Sequence, residues 1–240
     1  MTEDRTTAAK GARRPIGLAA LLLVAFAIFV GLGIWQIQRM HWKHALIARV
    51  DARVHAAPQA LPQDGSLGPD LEYLRVRVSG VYDGPATALV RAATERGTGY
   101  WTMTPLRLED GRLLWVNRGF VPAGTTRAAA GASAPAGKVS IVGLLRLPEP
   151  KGSILQSNAP QDDRWYSRDT AALAQARKVG AVSPAFVDVQ VEQASTAPAL
   201  KPVPGLTQIT FPDSHLSYAL TWFAMAALSL VALAYTWRRA

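Results

Sequence analysis

The stretch Asp213-Ser214-His215-Leu216-Ser217-Tyr218-Ala219-Leu220-Thr221-Trp222 opens a hydrophobic run that continues to Trp237. From Leu216 to Trp237 there are 22 residues without a formal charge. At about 1.5 Å per residue, a helix of that length crosses a bilayer core of roughly 30 Å. A second uncharged run, Ile16 to Trp35, lies near the other end of the sequence. Two crossings place both ends on one side of a membrane and everything between on the other. His215 then sits at the membrane surface, facing the compartment that holds the middle of the chain.

The expected organisation is a cytoplasmic tail (1–15), a first transmembrane helix (16–35), an extracytoplasmic domain (36–214), a second transmembrane helix (216–237) and a short cytoplasmic tail (238–240). The first run is long enough to span and lacks a small-x-small cleavage pattern at its end, so it is expected to remain as an anchor. Glu3 and Asp4 argue against an acid-poor transit peptide. Arg5, Lys10, Arg13 and Arg14 precede the first span, and Arg238 and Arg239 follow the second. Those charges favour cytoplasmic termini, against the opposing contribution of Arg39, Lys43, Arg49 and Arg53. Past Trp35 the spacing of Trp35, Arg39 and Trp42 predicts that the first helix continues beyond the bilayer with these three on one face.

The chain has 26 Lys and Arg against 17 Asp and Glu, a formal net charge of +9. The basic residues of the middle are scattered among acids, and much of the excess flanks the spans, so no nucleic-acid footprint is read from them. With no cysteine in the chain, disulfides, thiolate metal sites and cysteine nucleophiles are excluded.

Between the spans the pattern is that of short strands. Ala56–Pro69, rich in Pro, Gly and Gln, reads as a linker. In Tyr73–Ser79, Leu74, Val76 and Val78 alternate with polar neighbours, as in a strand buried on one face. Ala88–Arg91 is a second candidate. Tyr100–Leu108 and Leu113–Asn117 flank Glu109-Asp110-Gly111-Arg112, where Asp-Gly supplies the positive φ of a tight hairpin. Ala123–Gly137 reads as a mobile loop of small residues. Val139–Leu147 and Phe186–Glu192 are further strands. Ser167 or Asp169 caps a short helix over Thr170–Lys178, with Gly180 as its stop. The fold expected is a membrane protein with two terminal transmembrane α-helices flanking one mainly antiparallel β domain, a small barrel or sandwich, with one short helix.

Catalytic signatures are missing: the sequence holds no GxSxG, Walker loop, GxGxxG or HExxH. The reading is therefore not an enzyme. His215 has more telling company, because Tyr218 and Trp222 follow at i+3 and i+7 on its helix face. A porphyrin needs an axial imidazole, apolar contact for its ring and cationic groups at its aqueous edge. His215, Tyr218 and Trp222 offer the first two. If the spans pack side by side, as the small residues Ala27 and Gly31 permit, Trp35 and Arg39 come near His215, and Arg39 and Lys43 face the propionates. A boundary His bonded to water or headgroups fits the same stretch. So does a copper or zinc site built on His41 and His44, with His55, Met40 or His215 added.

Both ends together with the middle resemble the Surfeit locus protein 1 family of cytochrome c oxidase assembly factors. The matching runs are Gly33–Lys43 (GIWQIQRMHWK), Arg75–Tyr82 (RVRVSGVY), Thr104-Pro105-Leu106, Leu114–Pro122 (LWVNRGFVP), Gly143–Arg146 and His215–Phe223 (HLSYALTWF). Phe120 stands where the family usually has Trp, and Asp213-Ser214 stand where Asn is common. The resemblance implies handling of heme a during its insertion into cytochrome c oxidase subunit I, with His215 as the heme iron axial ligand. With the cytoplasmic anchors and the expected lack of a transit peptide, the chain looks like a bacterial inner (plasma) membrane member of that family, and heme a synthase is a further partner to expect beside the lipid bilayer. The Asn117-Arg118-Gly119 run is then either a solvated strand end or a surface that docks onto the oxidase. Two alternatives of other kinds stay open, a cofactor-free scaffold for an oxidase intermediate and a periplasmic copper-handling protein.

Overall fold

The structure, a computed structural model, describes residues 16–150, 156–194, 200–206 and 213–239. These divide into two compact units, one of residues 16–49 and 213–239, the other of residues 50–206. The first described element is α1 (Ile16–His55), whose 40 residues give a rod of about 60 Å, twice the thickness of a bilayer core. Its first half is apolar on all sides, and Ile16, Leu21, Val24 and Ile28 are all more than half exposed. Such a surface suits lipid. The expected continuation past Trp35 is present, and α1 runs on to His55.

The second unit is a closed sheet. Its strands are β1 (Gln59–Ala60), β2 (Arg75–Tyr82), β3 (Ala88–Thr94), β4 (Gly97–Leu108), β5 (Leu113–Pro122), β6 (Lys138–Arg146) and β7 (Phe186–Gln193). They lie in the order β1-β2-β6-β7-β5-β4-β3, and β2 also pairs with β4. That extra pairing closes β2, β6, β7, β5 and β4 into a five-stranded barrel. Most pairs are antiparallel, but β5–β7 and β1–β2 are parallel. The closure sits at Gly80↔Leu108 and Val81↔Arg107. A Cβ on Gly80 would lie 2.2 Å from the Arg107 carbonyl oxygen, so only glycine lets the seam form. The barrel is filled by Val76, Val78, Leu106, Leu114, Val116, Ile141, Leu145, Val187 and Val189. The hairpin expected at Asp110-Gly111 joins β4 to β5, with Gly111 at φ +87°.

A second cluster lies outside the barrel wall. Trp115, Met103, Val90 and Phe186 meet Trp165 and Leu173, all nearly inaccessible to solvent. Trp115 donates its indole N–H to the Thr170 carbonyl at 3.1 Å. Thr170 begins α3 (Thr170–Arg177), capped by the Asp169 carboxylate, which accepts from the Ala172 amide. The helix stops at Lys178, itself in the left-handed region, before the expected stop at Gly180 is reached. The segment expected as a loop holds α2 (Arg127–Ala132). Thr126 caps it, and Ala130, Gly131 and Ser133 are buried, because small side chains let it press onto the turn at Gly84. The expected linker is also structured. β1 lies along β2, and Asp64 accepts bonds from Arg112 and Ser183.

The last element is α4 (His215–Arg239), which closes on Arg238 and Arg239, cations suited to a helix C-terminus. It packs antiparallel along α1. Phe29 stacks on Trp222 with ring centroids 5.7 Å apart, and the Phe223 ring lies against Gly33. The buried face of α4 carries Ala219, Ala226 and Ser229. Close packing of the two apolar helices was expected through Ala27 and Gly31, but both are exposed. Gly33 makes the contact instead, since a Cβ there would stand 2.6 Å from the Phe223 ring.

Candidate functional site

The start of α4 is tied to α1 by two polar contacts. Asp213 precedes the helix, and one carboxylate oxygen accepts the His215 backbone N–H at 3.0 Å. Its other oxygen lies 2.6 Å from Nε2 of His44 on α1. The His215 amide, with His44 adding to it, holds the Asp213 carboxyl below its ordinary range. Two helical turns back along α1, the Gln36 side-chain oxygen lies 2.8 Å from Nδ1 of His215. Among the described residues, Nε2 of that ring has no hydrogen-bond partner. The imidazole is half-buried, as is Gln36.

The other expected site residues are distributed around this contact. Trp222 turns to α1 and stacks on Phe29. Tyr218 and Trp35 are 55% and 54% exposed, so each presents a flat aromatic face outward. Trp35 adjoins Gln36 in sequence, and Tyr218 follows His215 by three residues. Arg39 lies over the Trp42 ring at 4.1 Å, which places its guanidinium further along α1. The structure thus brings Gln36 to the His215 ring, where the sequence pointed to Trp35 and Arg39. Gln36 was missed although one signal was available: an uncharged hydrogen-bonding side chain at the end of a span facing a helix that begins with histidine. His41 is exposed, and His44 is committed to Asp213. Among the described residues no three His, Asp or Glu side chains converge to hold a metal ion.

On the barrel, the Asn117-Arg118-Gly119 run is neither solvated nor a docking surface. Arg118 is 3% exposed. Its guanidinium donates to the Ser133 carbonyl at 2.8 Å and the Ser133 hydroxyl at 3.1 Å, reaches Glu192 at 3.4 Å and lies over the Tyr82 ring. Tyr82 in turn donates to Glu192 at 2.6 Å. Burial, reinforced by Glu192, pushes the Tyr82 hydroxyl well above its ordinary pKa. Asn117 donates to Asp188, which also takes Arg146 and Arg168. These charges are paired inside the fold and hold strands together.

Residues 23–227 match the model of the SURF1 family. Surfeit locus protein 1 of Mus musculus is 36% identical over 96% of this chain and 78% of its own length. The protein of the same name from Homo sapiens is 34% identical over 90% of this chain and 75% of its own. A SURF1-like protein of Monosiga brevicollis is 33% identical over 94% of this chain and 89% of its own. The match runs from within α1 through the barrel into α4, and the chain belongs to the SURF1 family.

Proposed function

We propose that this protein is a membrane-anchored assembly factor that binds heme a through His215 and passes it to subunit I of cytochrome c oxidase. The single observation that carries the reading is the state of the His215 ring. One nitrogen is engaged by α1 and the other has no partner among the described residues, at the end of a membrane helix. The donor chemistry fits a porphyrin iron. A neutral imidazole supplies the axial bond, and the exposed rings of Tyr218, three residues on, and of Trp35, beside Gln36 in sequence, supply flat apolar contact. Arg39, carried on the Trp42 ring, offers a cation for the propionates. Heme supplies an iron centre and a large apolar ring; the protein's part is to hold, shield and release it.

In this reading both termini lie on the cytoplasmic side of a bacterial inner membrane and the barrel lies outside. Arg238 and Arg239 in the last turn of α4 favour that orientation. Heme a synthase is the donor of the cargo and the oxidase subunit its acceptor. Alkaline phosphatase fused at Ala132 should be active and fused at Ala240 inactive; the reverse overturns the orientation.

The central test is pigment. Protein purified in detergent from cells that make heme a should show a Soret band, and His215→Ala should abolish it while the circular dichroism spectrum and thermal melt stay unchanged. Heme content equal to wild type in that variant removes His215 from the role, and a colourless wild-type protein leaves a scaffold.

A further inference from the structure

The contact between the two helices raises a question that the ligand assignment leaves open, namely which ring nitrogen of His215 is offered. An imidazole can bind iron through either nitrogen, and the hydrogen bond at the other selects between them. We propose that Gln36 is the positioning residue that fixes His215 as the Nδ1-protonated tautomer and so reserves Nε2 for iron. This rests on the reading of His215 as the axial ligand.

The geometry is specific. The side-chain oxygen of Gln36 lies 2.8 Å from Nδ1, and a carbonyl oxygen can only accept, so Nδ1 carries the proton. Gln36 is held in place because α1 and α4 are clamped on both sides of it. The Phe223 ring packs on Gly33 and Trp222 stacks on Phe29 toward one side, and His44 binds Asp213 toward the other. The two clamps divide the work at His215. Asp213 holds the backbone N–H, and Gln36 holds the ring.

The choice of an amide is also informative. A carboxylate opposite Nδ1 would draw the proton toward itself and make Nε2 a stronger donor to iron. A neutral amide orients the ring without that added basicity. For cargo that must leave again, an oriented ligand of ordinary strength suits transfer better than a tight one.

The test uses the full chain in detergent at mildly alkaline pH. Long-range ¹⁵N–¹H correlation of histidine-labelled, heme-free protein should report His215 as the Nδ1-protonated form in wild type. Gln36→Leu, of similar volume, should move it toward the Nε2-protonated form. Titration with hemin should show about 10- to 100-fold weaker binding for Gln36→Leu, the usual cost of losing such a partner. Gln36→Glu should keep the tautomer, bind hemin at least as tightly as wild type and release it more slowly to apomyoglobin. A wild-type His215 protonated on Nε2, or a Gln36→Leu protein that binds hemin as wild type does, overturns the proposal. Undiminished hemin binding by His215→Ala is a different result, because it removes the ligand itself and with it the reading on which the role of Gln36 depends.

Discussion

Asp213 and His44 meet at 2.6 Å, joining a residue two places before α4 to the third turn beyond Trp35 on α1. The same carboxylate accepts the His215 amide, and that bond is the first cause of its low pKa. A depressed folded pKa means that the stabilisation is complete above the ordinary carboxyl value of 3.8 and is lost as pH falls through the lower folded value. A ¹³C carboxyl titration of Asp213 should therefore give a midpoint below 3.8. His44→Ala should leave in place the part of that depression that the His215 amide causes. A midpoint at or above the ordinary value would show that the carboxylate does not cap α4.

Arg118 offers a test of the opposite kind, because its side chain is only 1% exposed. Removing one partner of a buried pair costs about 3–5 kcal/mol, and Arg118→Met should fall at the low end because Glu192 keeps some access to water. Urea melts of the full chain in detergent measure this. A loss below about 1 kcal/mol would mean that the guanidinium is dispensable to the barrel.

Tyr82 should make the same region sensitive to alkali. Its folded pKa is raised, so its contribution is complete below the unfolded value of 10.0 and declines as pH rises from there toward the folded value. Barrel stability should fall over that window in wild type and less steeply in Tyr82→Phe. Parallel curves for the two proteins would count against a buried, neutral Tyr82.

At the barrel seam, Gly80→Ala should destabilise by at least the roughly 1–3 kcal/mol of an overpacked core, since the opposing atom is the Arg107 backbone oxygen and cannot swing away. Gly33→Ala meets only the Phe223 ring, the end of a side chain that can move. Phe223→Ala should therefore rescue Gly33→Ala in a double-mutant cycle read by thermal melting, whereas no second side-chain change should rescue Gly80→Ala. Simple additivity of Gly33→Ala and Phe223→Ala would mean that the two residues are not in contact.

The parts legible in the sequence were those with a local cause. The two spans were visible from length and missing charge, the hairpin from Asp110-Gly111, and β2 from the alternation of Val76 and Val78. β5 was read only as far as Asn117 because it is buried on both sides, with Leu114 and Val116 inside the barrel and Trp115 under α3. Two covered faces erase a period of two. The helix α2 was hidden by its Ala and Gly composition, which gives no apolar stripe. The Gln36–His215 contact depends on the register of two antiparallel helices, set by Phe223 against Gly33. Helix faces can be read from spacing, but the relative sliding of two rods cannot.

The place of β7 in the sheet has a consequence for how the chain is born. Among the described residues β7 is the last strand made, yet it is wedged between β6 and β5, so the ring stays open until Phe186–Gln193 arrives. A nascent chain that stops short of Phe186 carries two bare strand edges, each a template for pairing with other chains. Biogenesis therefore has a built-in order: the first anchor is inserted, the barrel waits with an unfilled gap, and the segment bearing His215 leaves the ribosome only after the strand that fills it.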